Sequence, residues 1–225
     1  MDPKYEPRVL SAPTILPNDT EETADYVVGG PWIIQMENFV TKEEAERLIY
    51  WGKKIGYGRS DDNGGIIRKD RTSNEAFCGD ECYEDPIVQG IMERIVAVAG
   101  IPEEHSDYLQ LLQYDDGTFY RTHQDYHPHQ SFSATGARIC TFYIYLNTME
   151  EGGGTNFPGL DITIQPKLGR VAMWSNVLDS DPDEEDVNAR HQALPTIGEK
   201  YGATAWFHHR DYKNNEDLNG RECGR

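Results

Sequence analysis

The sequence predicts a mainly β fold of the α+β class, a β-sandwich or jelly roll with helices packed on one sheet. Three observations support this prediction. Apolar residues recur at helical spacing in the part of the chain before Gly100. After Gly100 the apolar period changes to two, and turn residues separate short β-like runs. Helices followed by many strands are typical of this class, whereas regular alternation of helices and strands would indicate a parallel sheet.

The 225 residues divide into three predicted parts. Residues 1–30 are rich in Pro, Asp, Glu and Thr without an apolar period, so we expect an extended or partly ordered arm. Residues 31–213 carry the periodic segments and are predicted to form one domain, since β-rich folds of this length are often single. Residues 214–225 are predicted to be a polar C-terminal tail.

One strand and two helices are predicted before the β-rich part. Residues 31–39 alternate in a way that indicates a strand. Thr41 and Glu44 then form the pattern of a capping box, which opens a helix that continues to about Lys54. A second helix is predicted over residues 85–100, because Pro suits the first turn of a helix and Gly suits its end.

The remaining segments are predicted as loops and short strands. Residues 60–74 are polar and contain two consecutive glycines, which predicts a mobile loop. The acidic run 179–186 predicts a solvated loop. Five runs with β-type alternation are predicted strands: residues 108–114, 138–146, 161–166, 170–174 and 203–208.

Charge and hydropathy exclude several functions. The formal net charge is -18, so we expect no binding to nucleic acid and none to anionic membranes, because both would be repelled. No apolar run approaches the roughly 18 residues of a membrane helix, and no apolar segment typical of a signal peptide follows the first residues. We therefore expect a soluble monomer, cytoplasmic as the sequence stands, or in the lumen of the endoplasmic reticulum if an N-terminal signal has been removed.

Four cysteines are too few for a disulfide scaffold in a chain of this length. Cys78 and Cys82 are separated by three residues, but a zinc site would need a second cysteine or histidine pair at suitable spacing. A local disulfide and two free thiols are both consistent with the sequence.

The sharpest local feature is the pair His123 and Asp125. In an extended segment, residues i and i+2 point to the same face, so the imidazole and the carboxylate can approach one metal ion. Such a pair also occurs at protein surfaces as an ordinary hydrogen bond, and a 2-His-1-carboxylate site needs one more histidine. Lys200 follows His191 by nine residues and could supply a cation to the same site, which favours His191 as the third ligand.

Six ordered blocks of the sequence resemble the prolyl 4-hydroxylase family. The block with His123 and Asp125 resembles its catalytic signature, and Arg71-Thr72-Ser73 resembles a segment of its mobile loop. The resemblance covers roughly residues 31 to 210, and the six ordered blocks together are far more specific than any one of them. The remaining four blocks are residues 138–147, 151–158, 166–174 and the closing block from His191 through Lys200 to Trp206.

The resemblance implies a double-stranded β-helix and an enzyme that uses iron(II), 2-oxoglutarate, O₂ and L-ascorbate. It implies that the metal ligands are His123, Asp125 and His191. It implies that 2-oxoglutarate is bound by Lys200, Tyr114 and Thr155. It also implies a peptide groove near the metal, with Tyr120 and Arg138 in a catalytic role and four lining residues: Tyr120, Arg138, Trp206 and His208.

Three functions remain open at this point. The first is 4-hydroxylation of peptidyl-proline in proline-rich peptides, which form a polyproline II helix suited to an aromatic groove. The second is a 2-oxoglutarate dioxygenase that acts on another side chain or on a small molecule. The third is an inactive module that only binds proline-rich peptides.

The sequence departs from the family pattern in two places. Lys200 follows His191 by nine residues, whereas the family usually has ten. The segment between Trp174 and His191 is longer and more acidic than in the family.

Overall fold

The computed structural model of the chain describes residues 2–60 and 69–214. Two β-sheets and a small hairpin contain most of the regular structure in these residues. The strands of this described part, numbered along the chain, are β1 (Arg8–Ala12), β2 (Val27–Val28), β3 (Ile33–Met36), β4 (Gly58–Arg59), β5 (Asn74–Phe77), β6 (Gln110–Tyr114), β7 (Tyr120–His123), β8 (Arg138–Tyr145), β9 (Thr155–Phe157), β10 (Ile162–Ile164), β11 (Val171–Ser175), β12 (Val177–Leu178), β13 (Asp181–Glu185), β14 (His191–Ala193) and β15 (Lys200–His208).

Four α-helices accompany the strands in the same described ranges. They are α1 (Lys42–Ile55), α2 (Asp80–Tyr83), α3 (Pro86–Ala99) and α4 (Pro128–Ser131). No helix among residues 2–60 and 69–214 combines the length and apolar character that crossing a membrane requires.

The major sheet has nine strands in the order β2-β1-β3-β11-β8-β15-β6-β5-β4. A minor sheet has the order β10-β9-β14-β7, and β12 and β13 form a separate pair. Apart from β1 with β2, the paired strands of the two sheets are antiparallel. The fold is the predicted jelly roll.

Helix caps begin α1 and α3, and one of them also joins the two helices. The Thr41 hydroxyl accepts from the Glu44 amide, and the Glu44 carboxylate accepts from the Thr41 amide, as the capping box predicts. Asp85 caps α3 and also accepts from the side chains of Arg47 and Trp51 on α1. The same carboxylate therefore begins one helix and joins it to the other, and each cap of this kind typically stabilises by about 1 kcal/mol.

Apolar residues on the two faces of the major sheet form two separate cores. One face packs against α1 and α3, whose buried side chains include Leu48, Trp51, Ile91 and Ile95. The other face packs against the minor sheet through a second cluster, which includes Leu112, Tyr145, Phe157, Ile164 and Trp174. The helices thus pack on one face of the major sheet, and the space between the two sheets lies on its other face.

The structure bears on several of the sequence predictions in detail. The acidic run is not a loop throughout, because β13 lies within it and pairs with β12, which comes just before it; the acidic side chains are mostly exposed. Cys78 and Cys82 form a disulfide. Strands β1 and β2 of the predicted arm join the edge of the major sheet, while the domain division at residue 30 stays a prediction. Within the predicted loop 60–74, residues 61–68 lie outside the described part of the chain.

Candidate metal centre

Three side chains converge between the two sheets. His123 is the last residue of β7, and His191 is the first of β14; the two residues are direct partners in the antiparallel register. Asp125 follows His123 by two residues, and one ligand atom from each of the three residues lies within 4.8 Å of the others. Asp125 Oδ1 lies 3.8 Å from His123 Nε2, and Asp125 Oδ2 lies 3.8 Å from His191 Nε2. The structure therefore brings the three predicted ligands together.

Backbone carbonyls fix the orientation of both imidazoles. His123 Nδ1 lies 2.8 Å from the Arg121 carbonyl oxygen, and His191 Nδ1 lies 3.0 Å from that of Ala189. Because a carbonyl oxygen can only accept, each Nδ1 carries the hydrogen, and in the neutral form of each imidazole the lone pair for a metal is then on Nε2. This outer hydrogen bonding is the arrangement expected of metal-binding histidines.

Hydrogen bonds from neighbouring side chains also orient the Asp125 carboxylate. Thr141 of β8 donates to Asp125 Oδ2 at 2.7 Å and accepts from the Asn176 side-chain amide at 2.9 Å. Burial alone raises the pKa of Asp125, but His191 and His123 lower it, and the net effect is a pKa of about 2. Burial, with His191 beside it, lowers the pKa of His123 to about 3. At neutral pH His123 is therefore a neutral imidazole beside an ionised carboxylate.

A buried lysine lies beside the same space, next to two tyrosines that line it, Tyr114 and Tyr143. Lys200 begins β15 opposite Tyr114 of β6, and its side chain is fully buried. Its Nζ donates to the Gly153 carbonyl at 2.7 Å and lies 4.5 Å from the centre of the Tyr114 ring. Burial lowers the pKa of Lys200 to about 7, and no carboxylate in residues 2–60 and 69–214 forms an ion pair with it. The Lys200 amine therefore lies in the interior, although Lys200 follows His191 by nine residues and not by the ten that are usual in the family.

Thr155 and Gly153 shape the pocket around this amine. Thr155 begins β9, is buried, and its hydroxyl accepts from Tyr145 at 2.7 Å. Gly153 has φ +66°, and a Cβ there would lie 2.7 Å from Met149 Sδ and 3.1 Å from Lys200 Cδ. The absence of a side chain at Gly153 therefore leaves room for the lysine side chain.

The predicted groove residues fall into two groups. The Tyr120 ring stacks on the His123 imidazole with 3.6 Å between ring centres. The Arg138 guanidinium lies 3.8 Å from the centre of the Trp206 ring. These three residues line a cleft of about 1970 Å³ that also contains the metal ligands. His208 is only 1% exposed and is not among the residues that line the cleft, so it lies behind the cleft wall, and its contact with substrate stays a prediction.

His208 contacts Asp107, a residue that the sequence did not single out. Asp107 Oδ2 accepts from Arg138 Nε and Nη2 at 3.1 and 2.7 Å, and Asp107 Oδ1 lies 3.0 Å from His208 Nε2. Burial raises the pKa of Asp107, but Arg138 and His208 lower it, and the net pKa is about 2. A single aspartate between a serine and a tyrosine carries no local signal of this network. Thr141 and Asn176 were missed for the same reason.

Comparison with known proteins assigns the family. Residues 109–208 match the model of the 2OG-Fe(II) oxygenase superfamily. Prolyl 4-hydroxylase 2 of Arabidopsis thaliana is 30% identical over an alignment of 228 positions, which covers 89% of this chain and 74% of that protein. The chain belongs to the prolyl 4-hydroxylase family.

Other members of the prolyl 4-hydroxylase family extend this comparison. Prolyl 4-hydroxylase subunit alpha-2 of Gallus gallus is 30% identical over 204 residues, which cover 87% of this chain. The chain spans only 36% of that relative's length. The viral collagen prolyl hydroxylase vCPH from Paramecium Bursaria Chlorella virus-1, solved as a 2OG complex, has a TM-score of 0.63 at 24% identity, over 78% of this chain and 95% of that one. That likeness shows a shared fold.

Prolyl 4-hydroxylases are dioxygenases, and the family implies iron(II) and 2-oxoglutarate for this chain. The residues present fit both groups. A neutral His123, an ionised Asp125 and the lone pair of His191 Nε2 are the donors of a 2-His-1-carboxylate site, which suits iron(II). The fully buried Lys200 amine without a carboxylate partner among the described residues fits an anionic ligand, because an unpaired buried charge is unfavourable.

Proposed function

We propose that this chain is a peptidyl-proline 4-hydroxylase, which couples decarboxylation of 2-oxoglutarate by O₂ to hydroxylation of proline in proline-rich peptides. The single observation that best supports the proposal is the juxtaposition, in one cleft, of the His123–Asp125–His191 cluster and a groove lined by Tyr120, Arg138 and Trp206. The names of the family relatives support the substrate class.

Iron(II) held by the three ligands would supply the oxidising chemistry, in which one oxygen atom of O₂ enters the peptide and the other enters succinate, with release of CO₂. We assign Lys200, with Tyr114 and Thr155 beside it, to the carboxylate of 2-oxoglutarate that is remote from the metal. A charge-assisted hydrogen bond in a buried pocket orients such a ligand strongly. L-ascorbate is proposed as the reductant that keeps the metal ferrous.

The remaining residues of the cleft would position the peptide. Tyr120 and Trp206 offer aromatic faces on which a proline ring can pack, and Arg138 presents donors beyond the two that Asp107 accepts. Asp107 and the buried His208 behind it would hold the guanidinium against Trp206. Arg138 therefore stays oriented before a peptide binds.

Incubation of the protein with iron(II), 2-oxoglutarate, ascorbate and a polyproline peptide should release succinate and add one oxygen atom per proline modified. Mass spectrometry of the peptide locates the oxygen, and the same peptide with alanine in place of proline is the control. Oxygen on another residue, or turnover only with small molecules, would support a different dioxygenase. Peptide binding without any succinate release would support the inactive binding module instead.

The affinity for 2-oxoglutarate should fall as the pH rises through about 7, the pKa of Lys200. Below that pH the amine is charged when the ligand arrives; above it, binding must take up a proton. The loss should approach tenfold per pH unit until the pKa of the lysine in the complex is reached. Calorimetry at pH 8 in two buffers of different ionisation enthalpy should detect uptake of close to one proton. 2-Oxopentanoate, which lacks the remote carboxylate, should show no such uptake, and a flat profile for 2-oxoglutarate would contradict the assignment of Lys200.

A further inference from the structure

We propose that the hydroxyl of Tyr143 is a further hydrogen-bond donor to the remote carboxylate of 2-oxoglutarate, and that it contributes to selection of a dicarboxylate. This inference rests on the proposed function, because it presumes 2-oxoglutarate as the ligand. Tyr143 lies within the block of residues 138–147, but the resemblance to the family assigned it no role.

The position of Tyr143 on β8 points to this role. Alternate residues of a strand face the same side of a sheet, so Thr141, Tyr143 and Tyr145 project together into the space between the sheets. Thr141 donates to the metal ligand Asp125, and Tyr145 donates to Thr155. Tyr143 therefore lies between the residue that supports the metal centre and the residue that supports the lysine pocket. A ligand that reaches from the metal to Lys200 would pass over it.

The hydroxyl of Tyr143 has no hydrogen-bond partner within residues 2–60 and 69–214, although the side chain is only 7% exposed. Leaving a buried hydroxyl unpaired is unfavourable, so such a group usually indicates a missing partner. The neighbouring Tyr145 hydroxyl, by contrast, donates to Thr155 and lies 3.2 Å from the Ile164 carbonyl oxygen. Tyr143 also lines the cleft, so a ligand in the cleft could supply the acceptor.

Lys200 is close to the same phenol. Its Nζ lies 5.2 Å from the centre of the Tyr143 ring. Burial raises the pKa of Tyr143 well above its usual value, so the hydroxyl keeps its hydrogen. It can therefore donate a hydrogen bond to a negatively charged acceptor. An ammonium group and a phenol on one wall match the two oxygens of a carboxylate better than they match a neutral group.

Gly202 of β15 makes the position possible. A Cβ at residue 202 would overlap the Tyr143 hydroxyl, so only glycine allows the ring to lie across this strand. The register places Gly202 two residues after Lys200 on the same face of the sheet. The lysine and the phenol are therefore held side by side by adjacent strands, and loop conformation does not set their separation.

The test measures binding with Mn²⁺ in place of iron(II), so that no turnover is needed. Calorimetry compares 2-oxoglutarate with 2-oxopentanoate, a ligand of equal chain length that has no remote carboxylate. Tyr143→Phe should weaken 2-oxoglutarate about tenfold or more, the usual loss for a hydrogen bond to a charged group, and should leave 2-oxopentanoate nearly unchanged. Thermal unfolding should show that the variant is at least as stable as the wild type, since it loses an unpaired buried hydroxyl.

Tyr57→Phe is the matched control. The Tyr57 hydroxyl is also buried without a partner in the described residues, but the ring packs against the core on the helix side and does not line the cleft. This change should affect neither ligand. Equal weakening of both ligands by Tyr143→Phe, or no weakening of 2-oxoglutarate, would overturn the inference while the wild type still binds. A wild-type protein that does not bind 2-oxoglutarate would overturn the proposed function, and this inference with it.

Discussion

His191→Ala should abolish peptide hydroxylation and weaken binding of the metal by more than about a hundredfold. Loss of an outer hydrogen-bond partner of a ligand typically costs 10–100-fold in metal affinity, so loss of the ligand itself should cost more. Titration with Co²⁺, followed by its visible absorption, measures the affinity without turnover.

His209→Ala is the control for this prediction. His209 lies just after β15, half-buried, with its Nδ1 3.5 Å from Asp183, and it does not belong to the metal-ligand cluster of the described residues. Its replacement should leave cobalt binding and turnover close to the wild type. Circular dichroism of both variants checks that each is folded. The reverse result, with activity lost in His209→Ala and kept in His191→Ala, would mean that the third ligand is wrongly assigned.

Lys200→Met should weaken 2-oxoglutarate by more than a hundredfold and at the same time stabilise the protein without ligand. Truncating one partner of a buried charge pair typically costs about 3–5 kcal/mol, which is the expected loss of binding. In the ligand-free protein the amine is fully buried with no carboxylate partner in the described residues, so a methionine of similar volume removes a desolvated cation. Calorimetry measures the affinity, and thermal unfolding measures the stability.

The opposite signs of the two effects make this prediction specific. A residue that merely supports the fold would lose both stability and affinity when replaced. Lys53→Met, at an exposed position of α1, is the control and should change neither quantity appreciably. An unchanged affinity for 2-oxoglutarate in Lys200→Met would mean that Tyr114, Thr155 or Tyr143 binds the remote carboxylate without help from the lysine.

The amino-acid sequence alone determined the features that depend on neighbouring residues. The capping box of α1 and the Pro and Gly that bound α3 are local, so both helices begin and end close to their predicted limits. The pairing of His123 with Asp125 follows from the two-residue period of an extended chain. The change of period after Gly100 was sufficient to predict a β-sandwich or jelly roll, because the order of helices and strands largely determines the fold class. The family resemblance narrowed this prediction to the double-stranded β-helix.

Only the tertiary structure decided which distant residues meet. His191 becomes a partner of His123 through the register between β14 and β7, and register depends on packing across the sheets rather than on local periodicity. Asp107, Thr141 and Tyr143 gain their significance from neighbours on other strands, and His208 proves to lie behind Asp107 instead of facing the cleft. The sequence therefore determined which side chains could carry the chemistry. The folded sheets decided which of them are buried, paired or left without a partner, because those properties depend on contacts between residues that are far apart in the chain.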